Sequence, residues 1–78
     1  MAEQIEIRDH TIRLGQLLKL AGIVDSGSEV KALLGAEPAL VNGEPDARRG
    51  RQLHPGDVVL ISGRELHLRA APGSTPPA

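Results

Sequence analysis

The chain has 78 residues, contains no cysteine, phenylalanine, tyrosine or tryptophan, and carries a formal net charge of −1. The lack of cysteine excludes disulfides and thiolate metal sites, and the lack of Phe, Tyr and Trp removes the large rings on which single-strand binders stack bases. No apolar run approaches the ~18 residues of a membrane span, so we expect one small soluble domain in the cytoplasm, with no membrane partner.

The N-terminal part predicts a strand followed by a helix. Ile5 and Ile7 alternate with polar residues, which is the period of a half-buried strand. A helix is expected near residues 12–21, with Thr11 as its N-cap and with Gly22 ending it in the left-handed conformation. Apolar residues at i, i+3, i+4 and i+7 form the buried side of this helix: Leu14, Leu17, Leu18 and Ala21.

A second helix is predicted near residues 26–35. Ser26 and Glu29 fit a capping box, in which each side chain accepts a hydrogen bond from the other residue's backbone N–H. Pro38 ends the helix, because a proline disfavours the helical conformation of the residue before it. The apolar stripe of this helix consists of Val30, Leu33 and Leu34.

The rest of the chain reads as a small β platform that the two helices cover. A short apolar run ends at the turn Asn42-Gly43, a second turn spans residues 54–57, and strands are expected at 58–61 and 64–69 on either side of Ser62-Gly63. We therefore predict an α+β domain over residues 1–69, with at most five short strands, and a disordered tail over residues 70–78. Six residues are expected to be buried together: Leu17, Leu18, Leu33, Val41, Val59 and Ile61.

No group of residues predicts catalysis or metal binding. The three histidines are scattered, the serines of the second helix are explained by capping, and no Gly-Lys-Ser/Thr phosphate loop occurs. We expect a protein that is not an enzyme and that has no catalytic residues, no metal site and no cofactor.

The basic segment Arg48-Arg49-Gly50-Arg51 is the strongest indication of function. It places three permanent charges between two turns, and guanidinium groups match phosphate oxygens in a bidentate way. The alternative is a solvated loop whose arginines pair with Glu44 and Asp46. Charge alone leaves both interpretations open.

Further cations on the predicted helices could extend this basic loop. Arg13 and Lys19 lie on the outer face of the first helix, and Lys31 lies on that of the second. Without aromatic side chains, any RNA bound here would be read through phosphates, 2′-hydroxyls and shape, which favours a structured RNA.

Several motifs in fixed order resemble a known family. Residues 12–27 read IRLGQLLKLAGIVDSG, residues 41–44 read VNGE, and residues 53–57 read LHPGD after the basic loop. This order is similar to the RNA-binding domain named after ribosomal small-subunit protein S-four, and most of all to its stand-alone bacterial members. The resemblance covers roughly residues 5–68.

The resemblance implies the αL arrangement, in which two packed helices lie beside a small, mostly antiparallel sheet and bind structured RNA. It also implies an rRNA or tRNA-like partner, association with a ribonucleoprotein or the ribosome, and a monomer. Carried over by position, the RNA-binding residues are Arg13, Lys19, Ser28, Lys31, Arg48, Arg49 and Arg51.

Two alternatives belong to other classes. The segment from Val41 to Glu44 and the strand after Pro55 are also similar to small sulfur carriers of the β-grasp fold, although those end in Gly-Gly and this chain ends in Pro-Pro-Ala. The same surface could instead dock another protein, which would make the chain an adaptor.

Overall fold

The computed structural model describes residues 2–71 and contains two helices and seven strands within that range. In chain order these are β1 (Ala2–Ile7), β2 (Ile12–Arg13), α1 (Leu14–Leu20), α2 (Gly27–Ala36), β3 (Ala39–Val41), β4 (Glu44–Asp46), β5 (Gln52–Leu53), β6 (Val58–Ile61) and β7 (Arg64–Ala70). The α+β class is confirmed. The longer helix has ten residues, so neither of the described helices could cross a bilayer.

Five of the strands form one sheet in the order β1-β7-β6-β3-β4. Only the β1–β7 pair is parallel, and it joins the first described strand to the last, with Ile5 opposite Leu68. The other three pairs are antiparallel, as predicted for most of the sheet. Both predicted hairpin turns are confirmed, since Asn42-Gly43 and Ser62-Gly63 have positive φ at both positions.

The expected limit of five strands is wrong. The structure adds β4, which pairs with β3, and a separate two-stranded sheet made of β2 and β5. In that sheet Ile12 pairs with Leu53 and Arg13 pairs with Gln52. Strands of two or three residues have no periodicity that a sequence pattern can detect, so only their partners reveal them.

The first helix is shorter than predicted. Ile12 and Arg13 are extended in β2, so α1 begins at Leu14 and Arg13, not Thr11, is its N-cap residue. The backbone N–H of Arg13 donates to Oε1 of Gln16 at 3.2 Å. The left-handed Gly22 is confirmed, with a φ of 76° immediately after the helix.

The second helix agrees with its predicted limits to within one residue. Ser26 is the N-cap, and its Oγ accepts from the N–H of Glu29 at 3.4 Å. The Glu29 carboxylate accepts from the N–H of Asp25 at 2.9 Å, one residue earlier than a capping box requires. Glu37, before Pro38, is extended and ends the helix.

The buried residues of both helices and the inward residues of the strands form a single core. Five of the six residues expected to be buried together belong to it, and Leu33 packs against it while half-buried. Arg64 links the two layers, because its guanidinium binds the Glu3 carboxylate and also donates to the carbonyl of Ala21.

The strand β7 passes the predicted domain boundary at residue 69. Ala70 is its last residue, and the N–H of Ala71 donates to the carbonyl of Ile7 at 3.0 Å. The rest of the predicted tail lies outside the described residues.

The two leucines Leu18 and Leu20 test this core within one helix. Leu18 is fully buried and Leu20 is 56% exposed. We expect Leu18→Ala to lower the free energy of unfolding by about 2–5 kcal/mol, because it leaves a cavity, whereas Leu20→Ala should change it by less than about 0.5 kcal/mol. Urea denaturation measures both, and equal losses would contradict the described position of α1.

Candidate nucleic-acid interface

The basic loop is fixed to the start of α1. Gly15 N–H donates to the carbonyl of Arg49, and Leu14 N–H donates to the carbonyl of Arg51, both at 2.9 Å. The first N–H groups of a helix have no partner within the helix, so these two carbonyls supply what a capping side chain would otherwise provide. The β2–β5 pair holds the same two segments together just before the helix.

Gly15 of α1 lies close to both the loop and α2. A Cβ placed on it would lie 3.4 Å from Cγ1 of Val30, 3.5 Å from Cβ of Arg49 and 3.5 Å from the Arg49 carbonyl oxygen. Those distances are ordinary van der Waals contacts, so a methyl group fits there and a larger side chain would displace the loop. The small residue therefore keeps Arg49 against both helices.

The carboxylate of Asp46 accepts hydrogen bonds from two arginines of the loop. Asp46 ends β4 opposite the buried Ala39, and only 7% of its surface is exposed. Its Oδ1 accepts from the N–H and the Nε of Arg48 at 2.8 and 3.1 Å. Its Oδ2 accepts from guanidinium nitrogens of Arg48 and Arg51, both at 3.0 Å.

The pairing alternative drawn from the sequence is thus confirmed for two of the three arginines, with Asp46 as their partner. Glu44 forms no ion pair within residues 2–71. The hydrogen bonds from Arg48 and Arg51 hold the pKa of Asp46 far below its ordinary value, because they stabilise the charged carboxylate against the cost of burial. In turn the carboxylate raises the pKa of Arg48.

Arg49 does not bind Asp46 and makes no ion pair within the described chain. It lines two neighbouring shallow depressions of about 270 and 460 Å³. The smaller lies between α1, the start of α2 and the loop, and it is lined by Arg13, Gly15, Gln16, Lys19, Gly27, Val30, Arg49 and Gly50. The larger lies between α2 and the loop, and it is lined by Lys31, Leu34, Gly35, Ala47 and Arg49.

Four of the seven residues predicted to bind RNA therefore come together around the two depressions. They are Arg13, Lys19, Lys31 and Arg49, and we call them the cationic face. None of the four has a side-chain hydrogen bond or ion pair with another described residue. Arg48 and Arg51 are held by Asp46, and Ser28 lies outside both depressions, with its Oγ 3.1 Å from Oγ of Ser26.

Sequence reasoning missed the neutral part of this surface. Gly27 and Gly50 line the smaller depression, and a Cβ at either position would meet nothing within 4 Å. Their backbones are open to close approach by a ligand. A glycine in a capping segment or a loop gives no sequence signal for such a role, because turns also require glycine.

The remaining cations lie elsewhere and are engaged. Arg64 is bound to Glu3, and Arg69 donates to Gln4 at 3.1 Å and lies 4.0 Å from Glu6. The cationic face thus provides an uncompensated positive surface on a chain whose net charge is slightly negative. Unpaired cations around open, shallow depressions suit an extended polyanion, so the fold and the site define a small α+β domain with a candidate site for a polyanion.

Comparison with known proteins identifies the family. The S4 domain family model matches residues 5–69, and the chain belongs to this family of RNA-binding domains. Over 63 residues it is 52% identical to the probable ribosome maturation protein RlbA of Bacillus subtilis (strain 168). The matched stretch covers 81% of this chain and 89% of that protein. The resemblance seen in the sequence is confirmed, and the sulfur-carrier alternative is wrong.

The hydrogen bonds from Arg48 and Arg51 to the Asp46 carboxylate predict that the folded protein loses stability in acid. Asp46 has an ordinary pKa of 3.8 when unfolded and a much lower pKa when folded, so its stabilisation is present above about pH 4 and is lost as the pH falls further. We expect the difference in melting temperature between the parent and Asp46→Asn to be constant from about pH 7 to 5 and to shrink below about pH 4. If the difference in melting temperature already shrank between pH 7 and 5, the charged Asp46 carboxylate would not be held by the two arginines as described.

Proposed function

We propose that this protein binds structured RNA through its cationic face, reading phosphates and shape, and that it acts in association with the ribosome or its assembly. One observation carries the proposal: four cations from β2, the two helices and a fixed loop surround two adjoining open depressions, and none of the four has a side-chain partner among residues 2–71. Family membership and the identity to a probable ribosome maturation protein support the RNA and ribosome association.

The form of the face favours structured RNA over a flexible strand. The two depressions are shallow, and the chain has no Phe, Tyr or Trp on which bases could stack. The cations are positioned by β2, α1, α2 and a loop tied to α1. A folded RNA offers phosphates at fixed spacing, so it can meet several positioned cations without losing freedom of its own. In this proposal the helices present the αL surface of the family.

The structure changes the expected salt dependence. Six contacts, as the sequence suggested, would give a slope of log affinity against log salt of about −4 to −5. The cationic face provides four, which corresponds to a slope of about −3 to −4 and to weak, micromolar binding. The proposal further includes an rRNA or tRNA-like ligand, a monomer in the cytoplasm, and no catalytic activity or cofactor.

Removing the three cations of the cationic face that lie outside the loop tests the proposal directly. In the triple variant Arg13→Gln, Lys19→Gln and Lys31→Gln, three exposed contacts are lost without loss of any described hydrogen bond of their side chains. We expect binding to an rRNA hairpin, followed by fluorescence anisotropy over a salt series, to weaken more than tenfold and the salt slope to flatten by about 2–3 units.

The single variant Arg69→Gln is the control for net charge. Arg69 is exposed on β7, with its partners Gln4 and Glu6 on β1. Its loss should leave the salt slope unchanged. If Arg69→Gln flattened the slope as much per charge as the triple variant does, binding would follow the total charge of the protein, and the cationic face would not be the site.

A further inference from the structure

The three arginines of the basic loop are not equivalent, although the sequence presents them as one cluster. Arg48 and Arg51 share the buried carboxylate of Asp46 through three side-chain hydrogen bonds of 3.0–3.1 Å. Arg49, between them, has its carbonyl bound to the N–H of Gly15, and its guanidinium has no partner in the part of the chain that the structure describes. The backbone of Arg49 is therefore fixed while its side chain remains available.

We propose that Asp46 is a positioning residue that determines selectivity: it withholds Arg48 and Arg51 from RNA and leaves Arg49 as the one phosphate contact of the loop. The inference rests on the proposed RNA-binding function and goes beyond it, because it assigns different roles to side chains of the same type. It also assigns a role in RNA recognition to an acidic residue.

The energetic reason lies in the burial of the carboxylate. If both arginines turned to phosphates, Asp46 would remain charged and 93% buried without a side-chain partner, which is costly. Turning the Arg48 side chain to a phosphate would break its two side-chain hydrogen bonds to this carboxylate, and turning that of Arg51 would break one. Arg49 can bind a phosphate without breaking any bond of its side chain within the described chain.

Selectivity follows from this division. A loop with three free arginines would attract any polyanion according to the number of its charges. A single guanidinium at the wall shared by two depressions is useful only if a phosphate lies there while others reach Arg13, Lys19 or Lys31. A folded RNA can satisfy that geometry at little entropic cost, and a flexible strand cannot.

Three single variants separate the roles at equal charge. Arg48→Gln, Arg49→Gln and Arg51→Gln each remove one positive charge from the same loop, and Asp46 keeps a partner in all three. With an RNA hairpin as the probe, we expect Arg49→Gln to flatten the salt slope by about one unit, whereas Arg48→Gln and Arg51→Gln leave it unchanged. Equal flattening by all three would overturn the inference.

The variant Asp46→Asn tests selectivity with a second probe, a single-stranded oligouridylate of the same length as the hairpin. Releasing two arginines should steepen the oligouridylate slope by about 1.4 units, at 0.7 per contact, and should lower the ratio of hairpin affinity to oligouridylate affinity. A merely structural role would weaken both probes without a steeper slope, and that result would also overturn the inference. Circular dichroism shows whether Asp46→Asn is folded. If it is not, the salt slopes of the three single arginine variants alone decide whether Asp46 withholds Arg48 and Arg51 from RNA.

The proposed function and this inference fail in different ways. If Arg13→Gln, Lys19→Gln and Lys31→Gln weaken hairpin binding but the three loop variants behave alike, the RNA-binding face stands and the role of Asp46 falls. If this triple variant binds the hairpin as tightly as the parent, the proposed function itself is wrong.

Discussion

The buried carboxylate of Asp46 is the interaction on which the arrangement of the cationic face depends. It lies at the end of β4, where the chain leaves the sheet, and it holds the arginines on both sides of Arg49. A carboxylate at this depth is tolerable because four hydrogen bonds replace its hydration. The strong basic cluster of the sequence therefore serves in large part to fold its own loop.

The same loop completes the first helix. Its carbonyls accept from the N–H groups of Leu14 and Gly15, and β5 pairs with β2 just before the helix begins. A substitution that moves the loop backbone should therefore disturb the start of α1, and a substitution at Gly15 should displace the backbone of Arg49. This coupling explains why cations from α1, α2 and the loop can form one surface in so small a domain. For the same reason, removing all three loop arginines should lower thermal stability, since Asp46 would lose both of its side-chain partners among the described residues.

The sequence predicted those features that depend on periodicity or on turn chemistry. The α+β class, the positions of α2, β6 and β7, and the turns at Asn42-Gly43 and Ser62-Gly63 are examples. It could not predict β2, because two residues carry no pattern, and the predicted first helix therefore begins at residue 12, with Thr11 as its N-cap, and not at Leu14. Among the seven predicted site residues, charge identified the four that converge. Burial of Asp46, which only the folded chain reveals, separates Arg49 from its neighbours, and the open backbones of Gly27 and Gly50 carry no charge signal at all.

Glycine amides inside and outside the smaller depression provide the most direct measurement of whether RNA binds at the cationic face. Gly15, Gly27 and Gly50 line the smaller depression, whereas Gly43 and Gly63 lie in the hairpin turns β3–β4 and β6–β7. In an NMR titration with an RNA hairpin, we expect the amide signals of Gly15, Gly27, Gly50 and Arg49 to shift. The amide signals of the two turn glycines should stay in place. Shifts confined to Gly43 and Gly63, with the depression unchanged, would contradict it.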